Sequence, residues 1–258
     1  MNFNIQPINF NIANVRFKSN SNISQPKGSD LERNPKMDSF EMSIGYVNDA
    51  HGQTNNMMRI LSGIKGDLKL SAGDNDIGDE KNDAIHQATT KFLNIADIKA
   101  SALGNHEIDM SQKDCIDAIN RFNGLMLSIN FEQIPLEEQD PEDIQKYGRA
   151  DLKNHLTKSA VVEVKGEKIG LIGASPIDMM SRLTHPNYYT DCSVDDLDDT
   201  IELIQNEIDK FKEQNINKVI LVSHLGHKAD KFVAENIDGI DVIVGGHTHE
   251  LIKDIKEG

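Results

Sequence analysis

Five places along the chain set metal-binding side chains directly after an apolar run: Asp49 and His51, Asp74, Asn105 and His106, His224, and His247 with His249. Histidine is the commonest metal ligand among side chains, and carboxylate and amide oxygens suit hard or borderline cations. A mixed set without thiolates favours Zn, Mn or Fe. These eight side chains are too many for one tetrahedral ion. Two divalent ions about 3.5–4 Å apart, sharing one carboxylate, would use them, and such pairs hydrolyse phosphate esters. Singly, Asn48-Asp49 and Gly73-Asp74 are ordinary turn formers. Their recurrence at one end of successive predicted strands is what argues for a shared site, because open α/β sheets gather ligands there.

The elements that must hold these residues follow from periodicity. Apolar runs at 42–47, 68–72, 100–103, 125–129, 160–164, 168–172, 218–223 and 242–244 predict strands. Helices are expected over 57–64, roughly 80–96 and 229–237. Another starts at Ser111 and ends near Asn123-Gly124, with Cys115, Ile119 and Phe122 as its stripe. Helix 80–96 would bury Ile85, Thr89, Phe92 and Ala96. Ser193 with Asp196 caps the clearest helix, in which Leu197, Ile201, Ile204, Ile208 and Phe211 share one face. Lys165-Gly166-Glu167 between two strands marks a hairpin. Strands alternating with helices predict an α/β domain with a largely parallel, layered sheet. Segments 132–158 and 175–192 read as irregular excursions, the first holding a short helix. Residues 1–40, rich in Asn and Ser, read as a mobile arm ahead of a domain spanning 41–258. Alternation of Phe3, Ile5, Phe10 and Ile12 leaves an added edge strand open there.

Composition narrows the partners. A formal charge of −15 over 258 residues argues against wrapping a nucleic-acid polymer, yet small phosphates remain accessible because bound cations dominate their local field. The two cysteines, Cys115 and Cys192, imply no disulfide framework. No apolar run of about 18 residues is present, so no membrane span is expected. Met1 to Phe10 lack a secretion-signal pattern, which points to the cytoplasm by default.

In order, Asp49-x-His51, Gly73-Asp74-x-x-x-Gly78, Gly104-Asn105-His106-Glu107, Ser223-His224-Leu225-Gly226 and Gly245-Gly246-His247-Thr248-His249-Glu250 resemble the calcineurin-like metallophosphoesterases, and within them the 5′-nucleotidase branch. The resemblance covers about residues 42–250. It implies two stacked β-sheets flanked by helices. It also implies one metal on Asp49, His51 and His249, a second on Asn105, His224 and His247, and Asp74 bridging both. His106 and Asp109 would be a catalytic pair near the substrate phosphate, the carboxylate holding the ring as an imidazolium. A hydroxide held between the metals would attack phosphorus in line. His86, His155, His185 and His227 match no motif and read as surface residues.

The resemblance also implies strands and a base-binding domain beyond Glu250, whereas only Leu251 to Gly258 follow, so the last strands of the sandwich are expected to be missing. Hydrolysis of nucleoside monophosphates is the leading expectation. The alternatives are a phosphodiesterase, a general phosphatase, or a metal-binding domain without turnover. Recognition of the ester would fall to 132–158 and 175–192, where Tyr188 and Tyr189 read as packing residues.

Overall fold

The computed structural model describes residues 10–17, 40–53, 57, 63–76 and 83–250. A first sheet has the order β1 (Phe10–Phe17), β2 (Phe40–Val47), β3 (Leu68–Ser71), β4 (Ala100–Ala102), β5 (Leu125–Leu127). Strands β2 to β5 are mutually parallel, and β1 runs antiparallel to β2 along its full length. Next come β6 (Phe131–Gln133), β7 (Ser159–Val164), β8 (Glu167–Ala174), β9 (Cys192–Val194), β10 (Val219–Ser223) and β11 (Val242–Gly245). The second sheet is ordered β11-β10-β8-β7 and is parallel apart from the hairpin strand β7. Lys165 and Gly166 make that hairpin in two residues, both with positive φ (51° and 83°), the twist that right-handed strands need.

The sheets stack face to face on Ile44, Leu70, Ala100, Leu171, Ile220 and Val222, all buried. Strand β10 reads Val-Ile-Leu-Val-Ser and is buried at every position, as a parallel strand covered on both faces must be. Its other face takes α5 (Leu197–Glu213), whose Ile204, Ile208 and Phe211 pack on Ile172 and Leu221. Each such side chain is worth roughly 1.5–3 kcal/mol of burial. On the first sheet, α1 (Asp83–Ala96) covers Val47 with Leu93 and Ala96. Helices α2 (Gln112–Arg121), α3 (Pro141–Tyr147), α4 (Met179–Arg182) and α6 (His227–Asn236) complete the described helices. None of the described helices is long and apolar enough to cross a membrane.

Several expectations need correcting. The buried stripe of α1 is His86, Thr89, Thr90, Leu93 and Ala96, rotated by about one residue from the expected face. His86 is therefore buried, 2.5 Å from the carboxylate of Asp76, and is not a surface residue. His155 is exposed, and His185 and His227 are half-buried. Helix α5 is capped by Asp196, which accepts from Asp199 N at 3.0 Å. Ser193 plays no part in that cap because it pairs with Glu132 in the β6–β9 ribbon. That ribbon, α3 and α4 give the two excursions more order than their sequence pattern suggests. Residues 10–17 form β1, while the rest of 1–39, most of 57–64 and all of 251–258 lie outside the described residues.

Candidate functional site

Asp49 and His51 follow β2, Asp74 follows β3, Asn105 and His106 follow β4, His224 follows β10, and His247 and His249 follow β11. Both sheets thus deliver their carboxyl ends to one place. Three groups of ligand atoms lie within 4.8 Å of one another: Asp49, His51 and His249; His51, Asp74 and His106; and Asp74, His224 and His247. Asp74 shares one group with His51 and His106 and another with His224 and His247, while the group of Asp49, His51 and His249 does not include it. Asn105 joins through its backbone neighbour, since His106 N donates to Asp74 Oδ1 at 2.9 Å. The loops are held in unusual backbone shapes. Asp49, His51, Asp74, His247 and His249 all have positive φ, between 44° and 79°. Non-glycine residues adopt this region at a cost, and such residues cluster at functional sites. Gly104 permits the close approach of two loops, because a Cβ there would lie 2.3 Å from Asp74 Oδ1.

The side chains fit cations. His224 donates from Nδ1 to the Ala72 carbonyl at 2.5 Å, which turns Nε2 toward Asp74 Oδ2 at 3.0 Å. That approach lacks hydrogen-bond alignment, and both His224 Nε2 and Asn105 Oδ1 are buried without a hydrogen-bond partner. His51 Nε2 and His249 Nε2 face each other at 2.9 Å, and His249 Nε2 lies 3.4 Å from Asp49 Oδ1. Imidazole nitrogens crowded beside two carboxylates, with a buried amide oxygen left unsatisfied on Asn105, are what metal ligation resolves. The local field agrees. Burial works against the His224 imidazolium, but the Asp74 carboxylate prevails and raises it to about 9, so the spot demands positive charge. His51 is depressed by burial and by its histidine neighbours, and His247 by burial and by His224, both favouring the neutral ring a metal requires.

His106 differs from the others. Its Nδ1 lies 2.7 Å from Asp109 Oδ2, and its ring sits edge-on to His51 with centroids 4.7 Å apart. Burial lowers the His106 pKa, but the hydrogen bond to Asp109 and the nearby carboxylates outweigh it and shift it upward. Asp109 is buried, and its second oxygen accepts from Thr184 N at 2.8 Å.

Of the nine sequence-predicted site residues, Asp49, His51, Asp74, His106, His224, His247 and His249 are brought into the three groups, and Asp109 joins through His106. Two orienting residues escaped the sequence reading. Asp178 Oδ1 lies 3.2 Å from His247 Nε2 while its other oxygen takes Arg182 Nε at 2.5 Å, and it sits in an excursion without a motif. Glu107 was visible only as a letter of the Gly-Asn-His-Glu string. Buried, it accepts from Asp74 N, Gly104 N and Asn75 N at 2.7–2.9 Å, locking the loops of Asp74 and Asn105 together.

Two stacked sheets with a histidine and carboxylate cluster at their strand ends are the make-up of a metallophosphoesterase. The chain belongs to the calcineurin-like phosphoesterase family, whose model matches residues 42–251. It is 32% identical to a 5′-nucleotidase of Diplobatis ommata over 162 residues, covering 62% of this chain and 25% of that protein. It is also 32% identical to an apyrase of Anopheles gambiae over 248 residues, covering 84% of this chain and 40% of the relative. Among solved structures, a 5′-nucleotidase precursor from Thermus thermophilus superposes with a TM-score of 0.64 at 25% identity, over 82% of this chain and 42% of that one. The chain thus spans less than half the length of these relatives.

Proposed function

We propose that this chain hydrolyses phosphate esters with two divalent cations, and that nucleoside monophosphates are its main substrates. The observation that carries the reading is the gathering of Asp49, His51 and His249, and of Asp74, His224 and His247, into two close groups of possible ligand atoms, beside an imidazole held by Asp109. Asp49, His51 and His249 would hold one ion, and Asn105, His224 and His247 the other, with Asp74 shared. When bound, such a pair supplies an activated water and neutralises the phosphoryl oxygens. His106 does the proton work. Its Nδ1 is held by Asp109, which favours the protonated ring, and its other nitrogen would give a proton to the departing alkoxide. The choice of nucleotides rests on the similar 5′-nucleotidases and apyrase.

The test is phosphate release from adenosine monophosphate and p-nitrophenyl phosphate, with Mn²⁺, with Zn²⁺ and after chelation. Release that requires a cation supports the reading. Release indifferent to chelation, or none with either ester and either metal, refutes it.

A further inference from the structure

Asp109 is buried, and both of its carboxylate oxygens are engaged: Oδ2 by His106 Nδ1 at 2.7 Å and Oδ1 by the backbone N–H of Thr184 at 2.8 Å. Thr184 belongs to no helix or strand and lies between α4 and the turn Pro186–Tyr189. The carboxylate that orients the His106 ring therefore depends on one amide of an irregular segment 75 residues away in sequence. We infer that Tyr189 and Gln112 are positioning residues for the His106–Asp109 pair, clamping that segment so that the Thr184 amide stays on Asp109. The inference rests on the phosphoesterase reading, in which His106 gives a proton to the leaving oxygen.

Register is the first argument. Residues 109–112 and 184–191 meet through a row of hydrogen bonds that continues the one on Asp109. The Met110 carbonyl accepts from the Tyr189 hydroxyl at 2.8 Å. Two positions further, Gln112 Nε2 donates to the Tyr188 carbonyl at 2.7 Å and to Asp191 Oδ1 at 2.8 Å. The turn between is tight, with Tyr188 N donating to the His185 carbonyl at 3.2 Å, so a hold on Tyr188 and Tyr189 is a hold on Thr184. Burial is the second argument. Tyr189 and Gln112 are both buried, and a buried acceptor stripped of its donor costs more than a made bond gains. Connection is the third. Gln112 Oε1 accepts from Ala150 N at 2.8 Å and from Gln133 Nε2 at 3.1 Å, so one side chain at the start of α2 ties both excursions together. Asp191 also accepts from Gln133 and Gln139, at 2.9 and 3.0 Å. Satisfied buried networks of this kind hold a single arrangement. Tyr189 does pack, among Met110, Cys115 and Met179, as its sequence suggests, but its hydroxyl is what bears on the chemistry. With the clamp cut, Thr184 N drifts from Oδ1, and the orphaned buried oxygen turns toward another donor. Oδ2 then leaves its line with His106 Nδ1.

As the ester's P–O bond breaks, its electron pair stays on the leaving oxygen, which takes the Nε2 proton of His106. A departing alkoxide needs that proton and p-nitrophenolate does not, so a misaligned pair and a merely weakened fold give different patterns. Tyr189→Phe should lower kcat for adenosine monophosphate about tenfold, a part of the roughly 10²–10⁴-fold that a general acid supplies. The same variant should keep kcat for p-nitrophenyl phosphate within about twofold of the parent, with KM for both esters little changed. Gln112→Met, which cuts the second tie, should show the same split. Nitrogen-15 spectra of the His106 ring in the purified chain give a readout apart from turnover. Asp109 favours a proton on Nδ1, and the Nδ1-protonated share should fall in both variants toward that of Asp109→Ala. Equal losses on the two esters, or a His106 spectrum unchanged in a folded variant, overturns the clamp. A parent that hydrolyses neither ester ends the phosphoesterase reading alone, and the clamp then stands or falls by the His106 spectra.

Discussion

Asp178 offers a sharp test of how the centre is held. Its Oδ1 lies 3.2 Å from His247 Nε2, and its charge favours a proton on that nitrogen, which would leave Nδ1 for a cation. Carboxylates in this role typically govern 10–100-fold in metal affinity. The side chain of Asp178 is 39% exposed, so water can take its place when it is removed, and the effect belongs at the bottom of that range. Asp178→Ala should therefore weaken the cation proposed on His247 by about tenfold, near 1.4 kcal/mol. Asp178→Asn should weaken it less, because an amide oxygen can still face Nε2 while the charge is gone. Stepwise metal titration against a competing chelator measures both affinities. Nitrogen-15 spectra of the histidine rings report the tautomer of His247 independently of turnover. Unchanged affinities together with an unchanged His247 tautomer in the alanine variant would refute the reasoning, as would a loss confined to the Asp49, His51 and His249 group.

Three further outcomes are expected. Asp74→Asn should lower both affinities, and metal analysis of that variant should find well under the two ions per chain expected of the parent; a parent with one tightly held ion, indifferent to this change, would end the two-cation model. His106→Ala should keep its metal content yet lose roughly 10²–10⁴-fold in kcat, with Asp109→Asn falling less far, and metal loss in the alanine variant would place His106 among the ligands instead. Burial raises the carboxyl of Asp230 to about 6, although the Ser223 hydroxyl donates to it. A carboxyl that holds its proton more tightly when folded stabilises the fold below its unfolded value near 4 and loses that contribution as pH climbs through 6. Urea unfolding of the metal-free protein should thus show Asp230→Asn gaining on the parent by about 2–3 kcal/mol between pH 4 and 7, and parallel pH profiles would contradict it.

What the sequence showed best was the ends of strands. A side chain just past a buried run has its position set by local order, so Asp49, Asp74, Asn105, His224 and His247 could be read from apolar runs and glycines alone. Contacts set by tertiary packing were hidden. His86 pairs with Asp76 only because α1 is turned by one residue, a rotation that a stripe of mixed Thr, Phe and Ala cannot fix. Asp178 reaches His247 across 69 positions of sequence from a segment with no period, and nothing local marks it. The same holds for Ser193, whose strand partner Glu132 lies in the other excursion.

The left-handed backbone at Asp49, His51, Asp74, His247 and His249 also bears on how this chain could evolve. Each of these residues sits where glycine would be more comfortable by about 1 kcal/mol or more. In the metal-free chain Asp74→Gly and Asp49→Gly would trade that relief for the loss of the carboxylates that hold His224 and the amides of His106 and His247. The half-exposed His249 has less to lose, so His249→Gly is where a selection for heat resistance alone would collect the relief. That residue is one the proposed chemistry needs, so a lineage that keeps such chemistry must find its stability elsewhere.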